Sequence, residues 1–204
     1  MGLFNKFSKS GETTILLSMD VIVFIVDPTN SGKSEFLNAL LQNVKVHFRM
    51  NGGRRPCTPM VDVLRCRLEG KQNNIVLVDP SSFYTYESAD AEESMSQWTG
   101  SNCTKPEAAG ILYIHKITSS QHDVSSDVSR HLRAFGPTST VHVVPTISSG
   151  TNLSAEEIST SLAQLQRQAE DAGASMFGSV FDGRLGQAWD IVQGLLNILE
   201  RKGH

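Results

Sequence analysis

The chain has 204 residues, which, against roughly 100 to 200 residues per domain, is the length of one domain. Apolar residues at 39% and charged residues at 19% are ordinary globular proportions and supply a core without disulfides. A net charge of −3 argues against a surface built around a nucleic-acid backbone, which would leave a basic footprint.

Cys57, Cys66 and Cys103 form an odd set without CxxC spacing, as expected for thiols in a reducing, cytoplasmic compartment. The opening MGLFNKFSKS lacks the apolar core of a secretory signal, and Lys6 stands where a myristoylation signal has Ser or Thr. Residues 1–19 are therefore expected to be an N-terminal arm, and 20–204 a single domain. Ile15 to Val26 is apolar but broken by Ser18 and Asp20, and it is shorter than the ~20 residues a membrane helix needs.

The β-branched run Val21 to Val26 predicts a central strand covered on both faces. Phe36, Leu37, Leu40 and Leu41 then recur at helical spacing. Arg49 to Pro59, rich in Gly and Pro, is expected to be a loop. A strand carrying Met60, Leu64, Cys66 and Leu68 follows, and after the turn EGKQNN, Ile75 to Asp79 is the returning strand. Ser81 to Lys105 is polar, with a helix expected over 89–98 inside an irregular segment. Gly110 to His115 is the next buried strand. Asp123 opens a helix with Val124, Val128, Leu132 and Phe135 on one face, stopped by Gly136 and Pro137. Val141 to Val144 is a strand, and Ser154 with Glu157 spells a capping box. A short strand near 175–181 and a last helix carrying Leu185, Trp189, Val192, Leu196 and Leu199 complete the chain.

Strands alternating with helices predict an α/β fold in three layers, a mostly parallel sheet with helices on both faces. Ligands of such sheets sit beyond the carboxyl ends of the strands. The strongest chemical signal falls there: Thr29-Asn30-Ser31-Gly32-Lys33-Ser34, between a buried strand and an amphipathic helix. Backbone amides from Asn30 to Glu35 can wrap a phosphate at the helix N-terminus, Lys33 can reach the β and γ oxygens, and the Ser34 hydroxyl can bind Mg²⁺. The pattern GxxxxGK[ST] is not fully met, because Asp27 stands where its first Gly belongs. A carboxylate so close to a polyanion is expected to point away or to weaken binding. Asp79, closing the apolar strand IVLVD, is a second carboxylate whose place calls for a cation or hydrogen bonds.

GKSEFLNALL, RRPCTPMV, VDPSSF, ILYIHKIT and QAWDIVQGLL together resemble the immunity-associated nucleotide-binding GTPases, closest to fungal small G-domain proteins on the branch that includes septins and Toc receptors. The resemblance implies a P-loop, small G-protein-like domain that binds GTP with Mg²⁺ held by Ser34, Thr58 and Asp79. It also implies homodimers paired across the nucleotide face. The DxxG motif departs, reading Asp79-Pro80-Ser81-Ser82, and Phe83 occupies the place of the Gln that orients water in many small GTPases, a Gln that other members of this branch also lack. Hydrolysis is therefore expected to be slow. Arg55, three residues before Thr58, matches the spacing of the built-in arginine of Gα subunits. There it, or its neighbour Arg54, would supply charge in cis, an effect of roughly 10³ to 10⁵ in rate where it operates.

NKxD, which reads guanine, is replaced by Val144-Pro145-Thr146-Ile147-Ser148, so these residues leave the choice between GTP and ATP open. His115 closes its strand on the ligand side, where it is either a phosphate contact or a core residue. The other histidines lack HxxxH spacing and no GxSxG elbow occurs, so neither zinc nor a serine nucleophile is expected. A second reading stays open beside the slow enzyme. In it, Asp27, Ser82 and Thr146 mark a degenerate module that binds nucleotide, or nothing, and acts through contacts with a partner.

Overall fold

The computed structural model describes residues 20–28, 31–42, 46–51, 62–67, 74–79, 91–102, 108–118, 128–136, 139–147 and 152–202. Val21–Val26 forms β1, and its alternation sends Val23 and Ile25 to one face of the sheet and Ile22, Phe24 and Val26 to the other. Both sets are buried, which is why the run carries no polar residue. The chain continues through α1 (Lys33–Gln42), β2 (Val46–Asn51), β3 (Asp62–Arg67), β4 (Asn74–Asp79), α2 (Ala91–Asn102) and β5 (Ala108–Lys116). It ends with α3 (Val128–Arg133), β6 (Val141–Thr146), α4 (Ala155–Asp171), β7 (Ser175–Met176) and α5 (Leu185–Lys202).

The seven strands form one sheet in the order β2-β3-β4-β1-β5-β6-β7. From β4 to β7 all pairings are parallel, while β2 with β3 and β3 with β4 are antiparallel. Phe36, Leu37 and Leu40 of α1 and Ile191, Val192, Leu195 and Leu199 of α5 close over one face. Met95 of α2, Val128 and Leu132 of α3, and Leu165 and Ala169 of α4 close over the other. The three layers and the mostly parallel sheet are as the sequence predicts. Among the described residues, no helix is long and apolar enough to cross a membrane.

Five expectations need correction. The helix expected over 89–98 continues to Asn102. Residues 49–51 do not belong to a loop, because β2 extends to Asn51 and pairs with Asp62 of β3. Its alternation of Val46, Phe48 and Met50 with His47, Arg49 and Asn51 is a strand pattern that the Gly- and Pro-rich stretch behind it obscures. Phe135 lies in the turn past the end of α3, where Gly136 takes φ +77° and stops the helix as expected. β6 runs two residues further than Val144, taking in Pro145 opposite His115. The strand expected near 175–181 is confined to Ser175–Met176, and Phe181 bridges Thr146 on its own after an irregular stretch.

Asp20, fully buried just ahead of β1, ion-pairs with Arg65 of β3 and accepts a hydrogen bond of 3.1 Å from Asn74 Nδ2 of β4. These residues tie three strands together at the end of the sheet opposite the carboxyl ends of the parallel strands.

Candidate functional site

β1, β4, β5 and β6 all end on one edge of the sheet, and their last residues converge on the start of α1. Gly32 makes the entry to that helix. Its φ of +91° is open to glycine and strained for other residues, and its carbonyl accepts the first helical bond from Phe36 N at 3.0 Å. A Cβ on Gly32 would also lie 3.3 Å from Thr146 Oγ1. Thr146, buried at the end of β6, donates its hydroxyl proton to the Ser31 carbonyl at 2.5 Å, with the His115 carbonyl 3.3 Å away. The loop backbone is thereby tied to β6 and β5. Behind Thr146, Phe181 N donates to the Pro145 carbonyl at 2.8 Å. Gln187 braces the same turn by donating to the Val180 carbonyl and accepting from Asp182 N.

Lys33 points from the first turn of α1 into two carboxylates. Its Nζ lies 2.7 Å from Asp27 Oδ1 and 2.8 Å from Asp79 Oδ1. Ser31 Oγ holds Asp27 in place through its other oxygen, at 2.7 Å. All three charged side chains are largely shielded, between 11% and 15% exposed. Burial by itself depresses the ammonium pKa, yet attraction to Asp79 and Asp27 outweighs it, and the pKa of Lys33 is raised above its ordinary value. Two carboxylates and one ammonium leave the cluster one charge negative before any ligand enters.

The structure brings Ser31, Gly32, Lys33 and Asp79 together at this edge, and it leaves Ser34 and Glu35 exposed on the first turn of α1. Thr29, Asn30, Arg54, Arg55, Thr58 and the segment from Pro80 to Phe83 lie outside the described residues. Asn51 and Asp62, which flank the stretch carrying Arg55 and Thr58, pair at the same edge as Asp79. His115 is buried and stacks on Tyr113 with ring centroids 6.2 Å apart, and its carbonyl lies 3.3 Å from Thr146 Oγ1. Sequence reasoning missed the role of Thr146, noted only as part of an altered motif, which is the brace; of the two alternatives open for Asp27, pointing away is excluded, since it faces Lys33.

By sequence the chain matches no protein-family model and no curated protein. In structure it is similar to the G domain of the T. maritima FeoB iron transporter, with TM-score 0.50 and 14% identity over 87% of this chain and 99% of that one. It is also similar to a bacterial selenocysteine-specific elongation factor, EF-Sec, with TM-score 0.53 and 10% identity over 89% of this chain and 28% of that one. A third likeness is to a variant of SsGBP, with TM-score 0.53 and 13% identity over 91% of this chain and 58% of that one. At such identities the likeness speaks to architecture, and the architecture is that of a small G-protein-like P-loop domain.

Proposed function

We propose that the chain binds a nucleoside triphosphate with Mg²⁺ at residues 29–35 and hydrolyses it slowly to diphosphate and phosphate, with GTP favoured and ATP admitted. One observation carries this reading. At the carboxyl edge of the sheet, a lysine at the N-terminus of α1 meets the carboxylate that ends β4, across a glycine with positive φ.

The residues present suit the metal. Ser34 and Asp79 offer hard oxygen donors, and the Lys33 ammonium against Asp79 shows that this carboxylate already faces a cation. Thr58 would complete the protein's ligand set. When bound, Mg²⁺ withdraws charge from the β and γ oxygens. The chain's own residues do the rest. Amides from Asn30 to Glu35 line the phosphates, Lys33 neutralises the oxygens between β and γ phosphorus, and Arg55 adds charge in cis as negative charge spreads over the transferred group. Water oxygen bonds to the γ phosphorus and gives up a proton to solvent as inorganic phosphate forms, the bond from that phosphorus to the bridging oxygen breaks, and the diphosphate leaves with the electron pair. Thr146 keeps the loop in register for the transfer, a positioning role. With Asp absent after Thr146, base selection rests on contacts other than the usual carboxylate, which supports admission of ATP. Placement on the immunity-associated branch, pairing of two copies across the nucleotide face and a cytoplasmic location rest on the resemblance in sequence.

The engaged state of Lys33 favours one further reading, a module that binds nucleotide without turning it over, because its ammonium is already satisfied by two carboxylates. Phosphate release from GTP and from ATP, with and without Mg²⁺, on the wild type and on Lys33→Ala separates the two. Turnover that requires both Mg²⁺ and Lys33, and falls at least about a hundredfold in the variant, is the expected result. Bound nucleotide without release would select the module.

A further inference from the structure

We infer that Asp27 makes this loop selective for the metal-complexed form of a nucleotide over the free form, an inference that rests on the nucleotide-binding reading above. The two carboxylates that hold Lys33 are not equivalent. Asp79 ends β4 and is one of the residues that would hold Mg²⁺, so with the metal bound its charge would be met by that cation and Lys33 would be left to phosphate. Asp27 has no such outlet. It sits at the start of the loop, and Ser31 Oγ holds its second oxygen at 2.7 Å while Thr146 fixes the Ser31 backbone. It therefore stays beside Lys33 when phosphate arrives, and at 15% exposure little water screens it.

Its repulsion scales with the charge of the ligand. A free triphosphate carries about four negative charges at neutral pH and its magnesium complex about two, so the same carboxylate opposes the free form about twice as strongly. The position that ordinarily carries glycine in such loops thus becomes a filter on ligand charge.

The test is a titration with fluorescent N-methylanthraniloyl GTP and ATP, in Mg²⁺ and in EDTA at matched ionic strength. Wild type, Asp27→Asn, Asp27→Gly and Lys33→Ala are compared, and dissociation constants are read from binding alone. In Asp27→Asn, affinity for both forms should rise, more for the free nucleotide, so that the ratio of affinities with and without Mg²⁺ falls by about tenfold. Asp27→Gly, which removes the carboxylate without an amide in its place, should do the same and covers the case of a poorly folded Asn variant. An unchanged ratio in variants that bind through Lys33 overturns the inference and leaves the nucleotide reading standing. Failure of every protein to bind either nucleotide in Mg²⁺ overturns both.

Discussion

The Thr146 hydroxyl holds the Ser31 backbone against β6, and the chemistry of one hydrogen bond sets what its loss would do. Thr146→Val preserves shape but leaves the Ser31 carbonyl without its donor, a change of about 1 kcal/mol. Nucleotide affinity should fall about three- to tenfold, and Thr146→Ser should retain it; titration of both variants checks this. His142 carries a second residue-scale consequence. The Ser175 hydroxyl donates to the Val141 carbonyl at 3.1 Å, so the His142 Nδ1–H donates to Ser175 Oγ at 2.8 Å, and Nε2 is left buried and unpaired, facing Gly194. A proton there has no acceptor, and burial lowers the pKa to about 4. The unfolded chain takes up that proton near pH 6.5 and the native one only near 4. Stability from this group is thus full above pH 6.5 and lost as pH falls to 4, by up to about 3 kcal/mol. In urea melts at pH 7 and pH 4.5, His142→Leu should shrink the difference between the two pH values. The meeting of Lys33 and Asp79 was legible in the sequence because a GKS behind an apolar strand, and a carboxylate closing another, are local patterns. Thr146 was not, since its partner lies 115 positions away and a threonine ending a strand carries no spacing signature. For Asp27 the sequence left two outcomes open, pointing away or opposing the ligand, because only the fold reveals that Lys33 and Ser31 turn toward it.

Helix α5 owes its seat to a missing side chain. Gly110 of β5 faces it, and a Cβ there would stand 3.0 to 3.1 Å from methyls of Leu195 and Leu199. Both leucines are buried in the layer that also holds α1, so neither has open space to retreat into. Gly110→Val should destabilise the domain by about 2 kcal/mol through overpacking, seen as a lower urea midpoint at unchanged slope; an equal midpoint would mean that the helix shifts freely. The elements with strong periodicity, β1, α1, α4 with its Ser154–Glu157 capping box, and α5, were readable in advance because their patterns repeat over several turns or an unbroken apolar run. β2 was not, because alternation over six residues is short and the glycines and prolines that follow it pull the reading toward loop. The end of β6 was misread for a related reason: Pro145 lacks an N–H and signals a break, yet its carbonyl is still used by Phe181.

At the scale of the whole molecule, the sheet separates two charged clusters among the described residues. Lys33 meets Asp27 and Asp79 at the carboxyl edge. The buried Asp20 with Arg65 and Asn74 lies at the opposite edge, and removing Arg65 would leave the buried carboxylate without its charged partner. That arrangement has a mechanical consequence. The β2–β3 hairpin is riveted to the centre of the sheet at its rear, while its front edge borders the loop. Because β3 pairs with β4 along its full length, from Arg67 to Asp62, the tie at Arg65 and the loop edge at Asp79 belong to one continuous ladder, and a load applied at either is carried along it to the other.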